Sequence, residues 1–471
     1  MFKLASALAA ATLLFAGAAG AQTRPDQVAF RALYKELVET NTTASVGDCT
    51  LAAQRMATRL KAAGFPASDL TIFTAPGYPK NGGLVAVYPG RDPKAKAILL
   101  LAHIDVVEAR REDWTRDPFT LVEEGGYFYG RGASDDKAQA AIWVDSLIRY
   151  RQEGFHPRRT IKMALTCGEE GGSPFNGAAW LVANKRDLID AAFALNEGAG
   201  GQLDDHGKRI AHTIEAGEKT SQSFTLEVTN PGGHSSRPVP DNAIYRLADA
   251  LEKVRGYEFP VMLNDANRGY LTKMSKVAGG EQGAAMAALL ANPKDARADA
   301  ILSKDPGLHT MLRTTCVATM LSAGHAQNAL PQRATANINC RIFPGVAREA
   351  VRAKLIEVIG DPQVAVTPVA AGAAREADAP APPLTPQVMG PIEKLSAEMW
   401  PGVPVVPILQ AGATDGKALT AGGIPTYGVQ GLFYEPDLGR IHGLNERIGV
   451  TSLYEGRDFL YRLVKLYADQ P

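Results

Sequence analysis

Five short stretches place imidazole and carboxylate side chains where apolar runs end: His103-Ile104-Asp105, Asp135-Asp136, Glu169-Glu170, Glu197 and His442. Singly, each has an ordinary reading. A lone His-x-Asp is a polar turn, and an acidic pair ahead of a helix complements the helix dipole and caps its N-terminus. Together they say more, because burying several carboxylates beside imidazoles is unfavourable unless a cation neutralises them. Mixed imidazole and carboxylate donors suit zinc, with cobalt or manganese as alternatives. Three or four acidic ligands with two histidines would serve two metals that share a bridging carboxylate. Such a pair deprotonates one water and polarises a scissile carbonyl. A free carboxylate beside that water then carries its proton to the leaving amine. Of Glu169 and Glu170, one can bind metal while its neighbour points at the water.

The elements that must position these groups follow from the apolar pattern. The run Ile98-Leu99-Leu100-Leu101-Ala102 is too short for a long helix and reads as a buried central strand ending in His103. Strands are also expected at 84–88, 160–166, 191–195, 403–409 and 426–430. Helices are expected at 25–39, 49–63, 137–151, 177–188, 385–399, 414–420 and 452–468. This alternation predicts an α/β fold with a mostly parallel mixed sheet between helices, and ligands belong at the carboxyl ends of its strands. The texture changes near Ala216. Residues 221–229 alternate as an antiparallel strand does, and 314–320 and 334–342 add two more. Helices at 241–255, with Asp241 as N-cap, and at 348–359 complete an inserted α+β module. The stretch 279–303 reads as helical, and the Ala- and Pro-rich 370–383 as a surface connection. The expected division is a catalytic domain over 22–216 and 361–471, interrupted by a lid or dimerisation domain over 217–360.

Bulk properties exclude several classes. The 471 residues suffice for two or more domains, and 50 Lys+Arg balance 50 Asp+Glu, so no basic excess points to nucleic acid. Lys3, the apolar run 4–18 and Ala19-Gly20-Ala21 form the three parts of a secretory signal peptide over 1–21. The expected product is secreted or periplasmic, without a stable membrane anchor. Four scattered cysteines, Cys49, Cys167, Cys316 and Cys340, are too few for a disulfide framework, although Cys316 and Cys340 fall on segments that would be neighbours.

The order His103-x-Asp105, Gly130-Arg131-Gly132-x-x-Asp135-Asp136-Lys137, Gly168-Glu169-Glu170, Asn196-Glu197-Gly198, Gly232-Gly233-His234-Ser235-Ser236 and Arg440-Ile441-His442-Gly443-x-Asn445-Glu446 resembles the co-catalytic zinc peptidases. That family includes glutamate carboxypeptidase, aminoacylase, carnosinase-type dipeptidases and succinyl-diaminopimelate desuccinylase. The resemblance implies that His103 and Glu197 ligate one zinc, Glu170 and His442 the other, and Asp135 both. It implies that Asp105 orients the His103 imidazole and that Glu169 is the general base. Asp136 matches a variable position and is not implied as a ligand. The inserted module resembles the family's lid, which commonly carries the dimer contact. Within it His234 resembles the histidine that stabilises the oxyanion, often in the partner subunit's site. Asn328 and Arg341 resemble groups that hold the substrate carboxylate, for which an arginine fork is suited. Thr414-Asp415-Gly416 resembles a turn near the site, where Asp415 at least caps a helix.

The expected activity is therefore that of a secreted di-zinc metallohydrolase cleaving small peptides, as a carboxypeptidase or dipeptidase. The alternatives are an N-acyl amino acid amidohydrolase and a non-catalytic binding protein on the same fold. A serine hydrolase is excluded by the lack of a G-x-S-x-G elbow at any strand end.

Overall fold

The computed structural model describes residues 24–171, 175–370 and 379–471. The leader-like 1–21 and most of the 370–383 connection lie outside the described residues. The strand Ile98–His103 is buried along its whole length. On one side it pairs in parallel with Ile161–Thr166, in a register that sets His103 opposite Thr166. On the other side it pairs in parallel with Phe193–Asn196, which in turn pairs in parallel with Thr426–Gly428 so that Gly428 lies opposite Asn196. These registers bring His103, the turn after Thr166 and the turn after Asn196 level along one sheet edge. Ligands of open α/β sheets sit at such an edge.

The rest of this ten-stranded sheet is mixed. Tyr78–Tyr88 runs antiparallel to Ile161–Thr166 and carries Leu70–Ala75 beyond it. At the other end Arg209–Glu218 pairs in parallel with Val405–Gln410. Helices Lys137–Gln152 and Val450–Ala468 cover one face with a shared apolar core that includes Trp143, Tyr150, Leu460 and Val464. The helix Gly177–Asn184 covers the other face, against Leu99, Leu101 and Leu419.

A second, wholly antiparallel sheet has the order Thr315–Ala323, Arg333–Ile342, Thr220–Thr229, Ala365–Pro368. Strand Thr220–Thr229 buries Phe224, Leu226 and Val228 on one face and keeps alternate residues wetter, the pattern read from the sequence. Helices Ala243–Gly256 and Arg348–Ile359 supply its core with Leu247, Val254, Val351 and Leu355.

Several elements differ from expectation. Asn242, not Asp241, caps the helix Ala243–Gly256, its side chain accepting from the Ile244 N–H. The expected 177–188 helix is broken at Lys185 into Gly177–Asn184 and Arg186–Ile189. Strand Arg209–Glu218 escaped the pattern because it buries His212 and Glu215, polar residues that mask its apolar periodicity. It also runs across the expected boundary at 216. The cysteines all pair: Cys316 with Cys340 on neighbouring strands, and Cys49 with Cys167, 118 residues apart. The second bridge was invisible in the sequence, because only folding brings the helix Cys49–Ala62 to the turn before Glu169.

Candidate metal centre

His103, the last residue of its strand, is delivered to the sheet edge almost fully buried. Its Nε2 lies 3.1 Å from Asp135 Oδ1, 3.5 Å from Glu197 Oε1 and 4.0 Å from Glu169 Oε2. The Nε2 of His442 lies 3.1 Å from Asp135 Oδ2 and 2.7 Å from Glu170 Oε2. Asp135 thus faces one imidazole with each oxygen. His103, Glu169 and Glu197 form one group with potential ligand atoms mutually within 4.8 Å, and His103, Asp135 and Glu170 form another.

Each carboxylate arrives by a different device. Glu197 follows the strand Phe193–Asn196 through a turn that demands glycines. A Cβ on Gly428 would stand 2.4 Å from the Glu197 carbonyl oxygen, and one on Gly198 (φ +111°) 1.9 Å from Glu215 Oε2. Glu169 and Glu170 leave the strand Ile161–Thr166 through a turn tied by Asp415, whose carboxylate accepts from Thr166 Oγ1 and Asn176 Nδ2, both at 2.6 Å. Thr414, not Asp415, caps the helix that follows, accepting from the Gly416 N–H. Asp135 ends the loop ahead of the helix Lys137–Gln152. His442 comes from a loop in which Leu438, Arg440, His442 and Asn445 all take left-handed backbone angles between +51° and +60°. Such strain persists only where surrounding contacts over-determine it, and it clusters at functional sites.

The electrostatics are those of negative charge short of a counter-ion. Burial, with Glu197, Asp415 and Glu170 nearby, pushes Glu169 up to about 10 against the opposing pull of His103. Burial and Asp135 push Glu197 up to about 7. Hydrogen bonds to Asp135 and Glu170 raise His442 to about 10. Burial disfavours a charged His103, yet Glu197, Asp105 and Asp135 outweigh it and hold the imidazole well above its usual range. A divalent cation fits this donor set, since it would satisfy the carboxylates without protons.

The cluster opens into a cleft of about 440 Å³ lined by Ser134, Ala199, Gln410, Thr414, Tyr434 and Ile441 beside the acidic groups. Over residues 99–466 the sequence matches the family described as Peptidase family M20/M25/M40. The chain belongs to that family. It is 28% identical over 386 residues to N-fatty-acyl-amino acid synthase/hydrolase PM20D1 of Homo sapiens, covering 80% of this chain and 75% of that protein. It is 29% identical to a probable carboxypeptidase S-like 2 of Dictyostelium discoideum, covering 82% of this chain and 74% of that one. Its fold is similar to that of the M20 family metallo-carboxypeptidase Sso-CP2 from Sulfolobus solfataricus, with a TM-score of 0.65, 20% identity and coverage of 93% and 99%. This M20 chain is thus a hydrolase of amide C–N bonds with the mixed α/β fold expected of it.

Of the other expected site residues of the M20 chain, Asp105 joins the cluster, whereas His234, Asn328 and Arg341 lie elsewhere. The closest acceptor for His103 Nδ1 is the backbone carbonyl of Asp105 at 3.1 Å, with the Asp105 carboxylate 3.6 Å away. That carboxylate also accepts from the Glu170 N–H, so it touches both halves of the cluster. Asp136 is buried, its carboxylate accepting from Gln430 Nε2 at 3.4 Å. His234 and Asn328 meet in one short ladder of the inserted module, where the Ser235 N–H donates to the Asn328 carbonyl. His234 is exposed, and its Nδ1 bonds Ser236. Arg341 reaches toward the Ala411 carbonyl at 3.5 Å. None of these three lines the cleft.

Two supports went unassigned in the sequence. Glu218 accepts from the N–H and hydroxyl of Thr414, and Thr414 accepts from Asn196 Nδ2, which ties the Glu197 turn to the strand Arg209–Glu218. Glu446 and Arg131 both stand in recognisable motifs, but nothing in their spacing announces that they meet.

Proposed function

We propose that this chain is an exported di-zinc amidohydrolase that releases an amino acid from small peptides, as a carboxypeptidase or dipeptidase. Asp135 carries the reading: its two oxygens face two different imidazoles, each with its own glutamate. One ion would be held by His103 and Glu197, the other by Glu170 and His442, with Asp135 shared. Bound there, two cations would polarise the scissile carbonyl and acidify the attacking water. Glu169 takes the water's proton on its carboxylate and delivers it to the departing amine nitrogen. His234 would stabilise the oxyanion, and Asn328 and Arg341 would hold the substrate's free carboxylate. These three sit on the inserted module, whose sheet runs from Thr220 to Pro368, and their roles require that the module close over a site or serve the site of a second copy.

A homodimer through this module agrees with its exposed edge strand Thr315–Ala323, where Val317, Met320 and Leu321 face solvent. Export rests on the signal-like 1–21 and agrees with two disulfides, which persist in oxidising compartments. Among the described residues no helix is long and apolar enough to cross a membrane.

Hydrolysis of N-acyl amino acids is the second reading, favoured by the likeness to PM20D1. Both substrate classes end in the free carboxylate that Arg341 would bind. Rates on dipeptides and on N-acyl amino acids, compared with and without a chelator and with zinc restored, separate the readings. Faster turnover of dipeptides supports the first and faster turnover of N-acyl amino acids the second. Turnover that chelation leaves intact would overturn the two-metal reading altogether.

A further inference from the structure

The two halves of the centre are not built alike. His103 and Glu197 stand at the ends of buried, mutually paired strands of the central sheet. Glu170 and His442 stand on loops, and the His442 side chain is 53% exposed. What holds the His442 loop and the Asp135 loop in one position is a buried ion pair from the two segments. The strand Arg447–Gly449 pairs with Tyr127–Tyr129, Arg447 opposite Tyr129, which carries Glu446 across to Gly130. There the Gly130 N–H donates to the Glu446 carbonyl at 3.1 Å. The Glu446 carboxylate then accepts four donors. Oε1 takes the N–H groups of Ser134 (2.8 Å) and Asp135 (3.1 Å), and Oε2 takes the Gly132 N–H (3.0 Å) and Arg131 Nη1 (2.7 Å). Arg131 reaches back with Nη2 to the Gly443 carbonyl at 3.0 Å, one residue past His442. Both side chains are almost wholly buried, and the Arg131 guanidinium lies 5.0 Å over the Trp114 ring.

We propose that the Glu446–Arg131 pair is the positioning element of the second metal half-site: it fixes the Asp135 backbone against the His442 loop so that Asp135 Oδ2, His442 and Glu170 converge. The inference rests on the two-metal reading. Neither residue would touch an ion or the substrate, and both act through the backbone of residues that would. The chemistry demands this pair of side chains. A glutamine at 446 offers one acceptor oxygen and two new donors to four incoming donors, so at least two of them lose their partner. A lysine at 131 keeps the charge but lacks the planar fork that spans Glu446 and the Gly443 carbonyl. His103 and Glu197 are strand-borne, so the half that they form loses only the contribution of Asp135 Oδ1.

Calorimetric titration of metal-free protein with Zn²⁺ tests this, in wild type and in Glu446→Gln and Arg131→Lys. Partners of metal ligands typically change metal affinity by about 10- to 100-fold. The expected result is a second Zn²⁺ bound at least about tenfold more weakly in each variant, the first weakened by a clearly smaller factor than the second. A general loss of structure would instead weaken both sites together, and that result overturns the proposal, as do two unchanged affinities. Should Glu446→Gln not fold, Arg131→Lys decides by the same criterion. If wild type itself binds no second ion, the two-metal reading fails and the inference with it. Two ions in wild type and unaltered variants would sink the inference alone.

Discussion

Glu169 and Glu170 are adjacent, equally acidic and placed in one turn, yet their surroundings divide them. Glu170 Oε2 lies 2.7 Å from His442 Nε2, whereas Glu169 has its nearest imidazole at 4.0 Å and a proton affinity raised by burial. A carboxyl that sits beside the cluster without a close imidazole partner suits the proton exchange proposed for Glu169. Glu169→Gln keeps the shape and removes that exchange. Its turnover should fall by about 100- to 10,000-fold, the usual range for a general base. Metal content, read by elemental analysis, should stay near that of wild type. Survival of activity would mean that another group takes the proton. At this scale the sequence was informative where residue type and chemistry coincide, as at His103, Asp135 and His442. It did not give the partners of Glu446, Glu218 and Asp415, which accept hydrogen bonds from backbone and side chains far away in the chain.

Among the elements, the strand Arg209–Glu218 shows how a buried polar residue joins separate parts. His212 Nε2 donates to the Gln430 carbonyl at 2.5 Å, and its Nδ1 accepts from the Ser396 hydroxyl at 2.8 Å. This arrangement needs a neutral ring, and burial pushes its pKa down to about 4 from an ordinary 6.5. The folded state therefore resists a proton that the unfolded chain accepts. The stability this provides is complete above about pH 6.5 and is lost progressively as pH falls toward 4, by roughly 3 kcal/mol. Denaturant unfolding of wild type between pH 7 and 4 should show that fall. His212→Asn should be less stable at neutral pH but show a flatter profile, and an unaltered slope would remove His212 as its source. The same burial explains why this strand was unreadable, while Ile98–His103, apolar up to its final His103, was evident.

Across the whole molecule, the roles proposed for the inserted module ask for more than one chain brings to the cleft. His234, Asn328 and Arg341 do not line the cleft, and the edge strand Thr315–Ala323 leaves Val317, Met320 and Leu321 at 61%, 71% and 68% exposure. An apolar edge strand is an invitation to pair with another copy. Under the proposed dimer, Met320→Lys with Leu321→Lys should yield monomers by sedimentation analysis. Activity should fall with dissociation if His234 serves the partner's site. Monomeric wild type, or a fully active monomeric variant, would place the lid's closure within one chain instead.

The sequence by itself determined the types and order of the candidate ligands, the buried central strand and the alternation that makes an α/β sheet. These are local properties: periodicity reports burial, and residue chemistry reports affinity for metal. Only the tertiary structure decided that Asp135 faces both imidazoles, that Cys49 reaches Cys167, and that Glu446 and Arg131 clasp the two loops. Each of these joins segments tens to hundreds of residues apart. Their meeting is set by strand register and packing, which no local pattern encodes.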